Sequence, residues 1–597
     1  MGNRYLKHRS VGVVALIISA LVAAPAARRS PQSAADTLNA LVSSYTAERK
    51  AIIGAPVPVE GALKVDQGPM GTPEQAATLA AQAESFLKKL TAIDVAQLTH
   101  DEWVLHGILE YQVRLDAGNS AAFFWLPSLV TPYSSPLRAL TTPFVAATLS
   151  TAEDLAAYLT GLAQLPATMR AYEVRLEQQA EHGVALPEEE LRLSIPFVRS
   201  FAVASDSSPL AVAATRLSEL SESERLEFQQ KVADSIATMV NPSIERLAAY
   251  LDGPYRTRTV ASVGQSQYPN GDAFYRYQIF RHTGLDMSPQ QIHDRGLAEV
   301  VRINQDLDLL RIEANFEGSL AEFKTFLRTD ERFYPEASEE LGERMMAAIR
   351  LIEPKMPEYF SKMPKAPYGV RRLAPELEPS MTYGYYGLPS AQQSTGYYYY
   401  NGLNPETRSL TMVTAIIFHE LLPGHHYQLN LRNENSNLTG MRKTAMYTAY
   451  TEGWGEYASD LAREMGAYPD VYAKAGRLGM DLFTSSRLVV DTGMNALGWS
   501  RERAMQFMKD NTFESDAQID TESLRYSTDM PGQALAYKLG ALKIRDARER
   551  VEQAQGAAFD IRKFHDYLLD AGEMPLGMFD QHFTCWLDGE QHRKTEK

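Results

Sequence analysis

The sequence predicts a mainly α-helical protein with a small β-sheet, and two observations support this prediction. From residue 34 to about residue 252, apolar residues recur at spacings of three and four, the period of an amphipathic helix. Alanine, leucine, glutamate and glutamine, all good helix formers, fill the positions between them. Strand signals, by contrast, concentrate in one tyrosine-rich segment, residues 383–400.

Length and composition restrict the class of protein. A chain of 597 residues is long enough for several packed cores. A hydrophobic fraction of 45 % and a charged fraction of 22 % are typical of a globular protein and argue against disorder. The net charge of −15 and the absence of a Lys/Arg block argue against a nucleic-acid partner. The single cysteine, Cys585, excludes an internal disulfide and a cysteine metal cage.

The first 26 residues have the pattern of a signal peptide. Arg4, Lys7 and Arg9 precede an apolar run that ends in the small-residue pattern Ala24-Pro25-Ala26, which predicts cleavage after Ala26. The run is shorter than the roughly 20 residues of a membrane span, and no cysteine follows it for lipid attachment. We therefore expect a periplasmic or secreted bacterial protein with no stable membrane anchor after cleavage. The alternative is an uncleaved N-terminal anchor.

The mature chain is predicted to contain two regions that pack as one unit. Residues 27–260 form an N-terminal helical region, and residues 261–597 contain the candidate catalytic residues. In the second region, Ser288 suits an N-cap and Pro289 the first helical position, which predicts a helix that continues to about Glu313. Six prolines between residues 354 and 379 predict an extended connector.

The tyrosine-rich segment predicts a short pair of strands. Three tyrosines precede Gly387-Leu388-Pro389, and four more occupy residues 397–400, just before Asn401. One interpretation is an amphipathic strand packed on the helical core. The other is an edge strand beside an active-site cleft, to which an extended peptide adds as a further strand, with Tyr398 contacting the substrate.

A second helix start, Asn404-Pro405, precedes the first candidate metal ligand. The helix that follows is apolar, yet it contains the ionisable pair His419-Glu420, which is costly to bury without a partner. In the familiar zinc motif a second histidine follows four residues after the first, but here that position is Pro423.

The next two histidines are alternatives for the second ligand. His426, seven residues after His419, would share its face in a straight helix. A bend at Pro423-Gly424 would instead turn His425 inward. Spacing alone leaves both histidines open.

A third ligand is expected from the next helix, at about residues 443–465. Glu452 and Glu456 lie four residues apart on one face of it. Such a row is commonly a solvated face, but the aromatic residues around it indicate partial burial: Tyr447, Tyr450, Trp454 and Tyr457. His419, a second histidine and Glu452 would form the three-ligand open site of catalytic zinc, with Glu420 as general base. Manganese and cobalt also suit this donor set.

The string His-Glu-x-x-Pro-Gly-His-His-x-Gln at residues 419–428 resembles the signature of the bacterial DUF885 family. Members of this family look like gluzincin-type zinc metallopeptidases and are distantly similar to carboxypeptidase Taq. The resemblance covers most of the chain from about residue 260 onward and implies a large helical gluzincin-like fold with a zinc-bearing helix pair. It also implies zinc held by His419, His425 and Glu452, and thus favours His425 over His426.

One residue departs from the family pattern. Family members usually carry a histidine where this chain has Asn495. If that histidine stabilises the oxyanion, Asn495 supplies a neutral hydrogen bond in its place. Tyr537 is a second candidate for this role, with helix packing as an equal alternative. Arg525 and Tyr526 are candidates to bind a substrate carboxylate.

These residues predict a secreted zinc-dependent peptidase that cleaves short peptides, with Glu420 activating water. Two other functions stay open. The first is a periplasmic metal- or peptide-binding protein without turnover, for which Asn495 is the reason. The second is a metal-dependent amidase that acts on substrates other than peptides.

Overall fold

In the computed structural model, the described residues are 33–53, 63, 71–125, 128–375, 378, 383–390 and 393–595. The predicted signal peptide, residues 1–26, lies outside them. Among the described residues, no helix combines the length and the apolar character that crossing a membrane requires.

The prediction of a mainly helical fold with a small sheet is confirmed. The helices before the sheet are α1 (Ala34–Ile53), α2 (Pro73–Leu90), α3 (His100–Ala122), α4 (Thr142–Ala146), α5 (Ala152–Glu181), α6 (Glu188–Arg199), α7 (Glu222–Ser235), α8 (Asn241–Asp252), α9 (Gly271–Thr283), α10 (Pro289–Glu313), α11 (Leu320–Thr329), α12 (Ser338–Ile352) and α13 (Met356–Tyr359). Those after it are α14 (Val413–Glu420), α15 (His425–Glu434), α16 (Gly440–Thr444), α17 (Thr448–Glu464), α18 (Val471–Ala496), α19 (Arg501–Asn511), α20 (Asp516–Leu524), α21 (Leu535–Gln555), α22 (Ile561–Asp570) and α23 (Phe579–Thr595).

Helix α10 begins where its capping signal predicts. The Ser288 hydroxyl accepts a hydrogen bond from the Gln291 backbone N–H, and the Gln291 side chain accepts one from the Ser288 N–H. This reciprocal pair satisfies two backbone donors that a helix start leaves without partners. The helix then runs to Glu313, the residue at which the sequence predicts its end.

Three strands form the sheet, β1 (Tyr368–Arg372), β2 (Gly384–Gly387) and β3 (Gly396–Tyr400), in the order β1-β3-β2. Strands β2 and β3 are antiparallel, as the tyrosine segment predicts, and β1 pairs with β3 in parallel. Strand β1 lies in the proline-rich segment where an extended connector was expected. Because β3 is paired on both sides, the tyrosine strand 396–400 is central, and β2 is the edge strand of this segment.

Two large apolar cores organise the helices. One consists of residues between 129 and 255, mainly from α5 to α8. The other surrounds α14, α17 and α21 and includes the buried tyrosines of β3. Helices α17 and α21 approach each other at two glycines: a Cβ atom at Gly540 would lie 2.0 Å from the Ala449 carbonyl oxygen and 2.6 Å from the Gly453 Cα. No larger residue fits this crossing without moving a helix.

Candidate metal centre

Helix α14 starts eight residues later than its sequence signal suggests. Asn404 adopts a left-handed backbone conformation with φ of 51°, and residues Pro405–Thr407 make only a short 3₁₀ turn. The Leu410 backbone N–H donates to the Phe333 carbonyl oxygen at 2.6 Å, so this segment is hydrogen-bonded to a distant part of the chain. The α-helix begins at Val413.

A turn interrupts the helix between α14 and α15, and this turn determines which histidine faces His419. Helix α14 ends at Glu420, and α15 begins at His425. A Cβ atom at Gly424 would lie 1.8 Å from the His419 carbonyl oxygen, so the turn closes only with glycine there. The Trp454 indole N–H donates to the Pro423 carbonyl oxygen at 2.9 Å and ties the turn to α17.

Three side chains converge at this turn. The Nε2 atoms of His419 and His425 lie 3.3 and 3.4 Å from Oε2 of Glu452, and all three ligand atoms lie within 4.8 Å of one another. Tetrahedral bonds of about 2.0–2.1 Å around zinc separate neighbouring ligand atoms by about 3.3–3.4 Å. Two imidazoles and one carboxylate at these distances suit a divalent metal ion.

His426 lies outside this group. Its Nε2 is 3.1 Å from the Ala366 carbonyl oxygen, which only accepts, so Nε2 donates there. Its Nδ1 then accepts from the Tyr386 hydroxyl at 2.8 Å. Burial lowers the pKa of His426 to about 4, which keeps the ring neutral. Spacing left His425 and His426 as alternatives, and the structure brings His425 to His419 and Glu452.

A buried carboxylate supports His419 from behind. Oε1 of Glu456 lies 3.2 Å from Nδ1 of His419, and Oε2 of Glu456 accepts from Arg477 at 2.9 Å. Burial alone would lower the pKa of His419, but the carboxylates of Glu452 and Glu456 raise it to about 10. The surroundings of His419 therefore stabilise positive charge.

The group lies beside a cavity of about 390 Å³. Of the residues predicted for the site, the lining includes His419, Tyr398, Glu420, Arg525 and Tyr537. Burial raises the pKa of the Glu420 carboxyl. The Tyr537 ring lies 6.3 Å from the His419 ring and nearly parallel to it. Lys538, next in the chain, points elsewhere and pairs with Asp481 at 2.6 Å.

Among the residues predicted for catalysis or substrate binding, Asn495 and Tyr526 do not line this cavity. The Asn495 amide donates to the carbonyl oxygens of Asp491 and Tyr526, both at 2.9 Å, and its oxygen accepts from the Gln265 N–H at 3.1 Å. Through these bonds the Asn495 side chain holds adjacent backbone segments together, so its amide is not available to an oxyanion in the cavity. Tyr526 is fully buried, and its hydroxyl accepts from Arg487 at 2.7 Å instead of reaching the cavity.

Sequence reasoning missed four residues near the cavity. Three of them line it: Arg487, Glu514 and Glu522. The sequence signal that could have identified Arg487 is a charged residue followed by the apolar Leu-Val-Val of α18. Glu573 accepts from Gln428 and Arg432 of α15 and from Thr451 of α17. It thereby fixes the helix of His425 against the helix of Glu452, although a lone glutamate in a loop carries no signal of that role.

Fold and site together define a mainly helical protein with a candidate metal centre of two histidines and one glutamate beside a cavity. The chain belongs to the bacterial family of unknown function DUF885, whose model matches residues 60–583. A predicted lipoprotein from Colwellia psychrerythraea is similar in structure, with a TM-score of 0.80 and 25 % identity over 94 % of this chain and 100 % of that one. A predicted lipoprotein of unknown function from Shewanella oneidensis shares the fold, with a TM-score of 0.66 and 17 % identity over 92 % and 99 %. No curated protein matches the sequence.

Proposed function

We propose that the protein is a zinc-dependent peptidase of gluzincin-like architecture that hydrolyses peptide bonds in short peptides. The observation that carries this proposal is the convergence of His419, His425 and Glu452 beside a cavity that Glu420 also lines. His419, His425 and Glu452 would hold the ion. When bound, zinc supplies a Lewis acid that polarises a carbonyl oxygen and lowers the pKa of water to about 7.

Glu420 is the proposed general base. Its carboxylate takes a proton from water as the water attacks the peptide carbonyl, and then gives that proton to the leaving amine. Burial raises the pKa of this carboxyl, which brings it nearer to the working pH and suits a group that both accepts and donates. The Tyr537 hydroxyl, on the same cavity, is the proposed donor to the developing oxyanion.

Peptide binding is proposed along the aromatic side of the cavity. Tyr398 of β3 and Gly384 of the edge strand β2 both line it. An extended peptide would find backbone donors and acceptors along a strand edge of this kind. The size of the cavity favours a short peptide over a folded protein.

The proposed location is the periplasm or the exterior of a bacterial cell. The N-terminal pattern that ends at Ala26 supports export. The description of the two structural neighbours as lipoproteins agrees with an exported protein. Lipid attachment after the apolar run is not part of the proposal, because Cys585 is the only cysteine of this chain.

The alternative of a binding protein without turnover depended on Asn495. Because Asn495 is hydrogen-bonded to backbone groups away from the cavity, its presence no longer argues against catalysis. A metal-dependent amidase would use the same groups on another substrate, so the choice of test substrate separates it from a peptidase.

The test is mass spectrometry of a mixed peptide pool incubated with the zinc-loaded mature protein and with its Glu420→Gln variant. We expect fragments from the wild type and a loss of about 10²–10⁴-fold in rate for the variant, with zinc content unchanged in both. Zinc binding without fragments from the wild type would overturn the peptidase. Equal cleavage by the two proteins would overturn the role of Glu420.

A further inference from the structure

One wall of the cavity consists of two arginines that share one carboxylate. Arg487 donates to Oε2 of Glu522 at 3.2 Å, and Arg525 donates to Oε1 of the same residue at 3.2 Å. Both arginines line the cavity, and Arg487 is only 6 % exposed. We call Arg487, Arg525 and Glu522 the arginine wall.

The arginine wall retains donors that the protein does not use. Arg487 also donates from Nε to the Tyr526 hydroxyl, but its Nη1 has no hydrogen-bond partner within the described part of the chain. Arg525 donates from Nη2 to the Gln533 side chain, and its buried Nε has no such partner. A buried guanidinium donor without an acceptor, such as Nε of Arg525, is costly, and a bound ligand with acceptor oxygens would supply acceptors to the wall.

The charge balance of the wall favours an anion. Two guanidinium groups face one carboxylate, which leaves a net positive charge. A further acid of the lining is Glu514, whose pKa burial raises to about 7, so much of its population is uncharged at neutral pH. Arg138 adds a third positive charge to the lining.

The wall lies a short distance from the metal-ligand group. The Tyr537 ring is 6.3 Å from the His419 ring and 4.8 Å from the Arg487 guanidinium carbon, so the His419 ring and this carbon are at most about 11 Å apart. An extended residue spans about 3.3–3.6 Å. At most about three residues of a substrate therefore fit between a carbonyl at the ligand group and an anion at the wall.

We propose that the arginine wall binds the free C-terminal carboxylate of a peptide, so that the protein is a carboxypeptidase that releases one to three residues per cleavage. A carboxylate matches the planar fork of a guanidinium and can accept two hydrogen bonds from it. In the reaction, water breaks the peptide C–N bond, its oxygen enters the new carboxyl group, and the released fragment gains the proton on its amine. The cleavage depends on the proposed peptidase function, whereas the carboxylate recognition does not.

Binding and cleavage are measured separately. Isothermal titration calorimetry uses the zinc-loaded Glu420→Gln protein and three probes: tetra-alanine with a free C-terminus, tetra-alanine amide, and the amide of Ala-Ala-Glu-Ala. We expect the free acid to bind about ten- to a hundredfold more tightly than tetra-alanine amide. If the glutamate-containing amide binds as tightly as the free acid, the wall recognises a side-chain carboxylate and the C-terminal assignment is wrong. Equal binding of all three probes, or no binding, also overturns it.

The test variant is Arg487→Gln, which removes one guanidinium and leaves Glu522 paired with Arg525. We expect this variant to lose the preference for the free acid, while Arg344→Gln, a change in an exposed pair of α12, keeps it. A retained preference in Arg487→Gln overturns the proposal. Should this variant fail to fold, Arg487→Lys keeps the charge without the fork, and we expect it to reduce the preference.

Mass spectrometry of wild-type digests then separates the two proposals. Release of one to three C-terminal residues from free-acid peptides, with amides cleaved at least about tenfold more slowly, supports both. Equal cleavage of acids and amides would retain the peptidase and overturn the carboxypeptidase. Acid-selective binding without any cleavage would overturn the peptidase and retain the role of the wall.

Discussion

The imidazole ring of His419 lies against the backbone of Gly455. A Cβ atom at Gly455 would lie 2.7 Å from Cε1 of His419 and 2.8 Å from each of its ring nitrogens. The ring therefore occupies space on α17 that only glycine leaves open. Because Glu452 precedes Gly455 by three residues on the same helix, the helix that supplies one candidate ligand also makes room for another.

We predict that Gly455→Ala weakens zinc binding by about tenfold or more. The added methyl group displaces the His419 ring, and metal–ligand bonds tolerate shifts of only about 0.2 Å. Competition with a chelator of known affinity measures the change. The overpacked contact also costs about 1–3 kcal/mol of unfolding free energy, measured by urea titration followed by circular dichroism.

The control for this change is Gly589→Ala in α23, where a Cβ atom meets nothing within 4 Å. It adds the same methyl group to a helical glycine far along the chain and should leave zinc affinity unchanged. Unchanged affinity in Gly455→Ala as well would mean that His419 is not a ligand.

The carboxylate behind His419 provides a second test. We predict that Glu456→Gln lowers zinc affinity by about ten- to a hundredfold, because Glu456 faces Nδ1 of His419 and orients the ring. Asp460→Asn, one turn further along α17, is the matched control, since Asp460 pairs with Arg463 and Arg545 and not with His419. Competition with a chelator measures the zinc affinity of both variants. Equal effects of the two changes would point to a general charge effect and not to positioning.

Local signals in the sequence predicted much of the site but not the way its elements meet. The capping box at Ser288 and the strand pair at the tyrosines are encoded within a few residues, and both occur as predicted. His425 was favoured over His426 only by resemblance, since the geometry of the turn depends on Gly424 packing onto the His419 carbonyl.

The other features of the fold and the site depend on tertiary contacts, which no local sequence pattern contains. Strand β1 pairs with β3 across more than twenty residues of sequence, and prolines near β1 obscured it. The position of Asn495 in a motif predicted a role in the site, yet its partners Gln265 and Tyr526 come from distant segments. The role of Arg487 depends on Glu522, which lies on another helix, and its sequence context shows only a charge followed by Leu-Val-Val.

The acid on the arginine side of the cavity predicts a pH dependence of stability. Burial raises the pKa of Glu514 from an ordinary value of 4.5 to about 7. Between these values the unfolded chain releases this proton while the folded protein keeps it, so the contribution of Glu514 to stability is lost as the pH rises. The full effect is about 3 kcal/mol between pH 4 and pH 8.

Glu514→Gln removes this titration and can still accept the hydrogen bond from the Tyr383 hydroxyl. We predict that the variant gains stability relative to the wild type as the pH rises from 4 to 8. Urea unfolding at intervals of one pH unit measures the difference, with the exposed Glu317→Gln as control. A difference that does not change with pH would show that the pKa of Glu514 is not raised in the folded protein.

A substitution at Asn495 tests whether this residue stabilises the fold or takes part in the reaction. We predict that Asn495→Ala costs about 2–3 kcal/mol of unfolding free energy, because it leaves the buried Gln265 N–H without its acceptor and the Tyr526 carbonyl without its donor. Zinc affinity and the rate constant of the folded enzyme should stay unchanged, since Asn495 does not line the cavity. Asn304→Ala, which removes a partly buried amide of α10 that donates to the Val300 carbonyl and, at 3.4 Å, to the Asn511 side chain, is the control and should cost less. A loss of rate with unchanged stability would return Asn495 to the reaction as the oxyanion donor that its position in the sequence suggests.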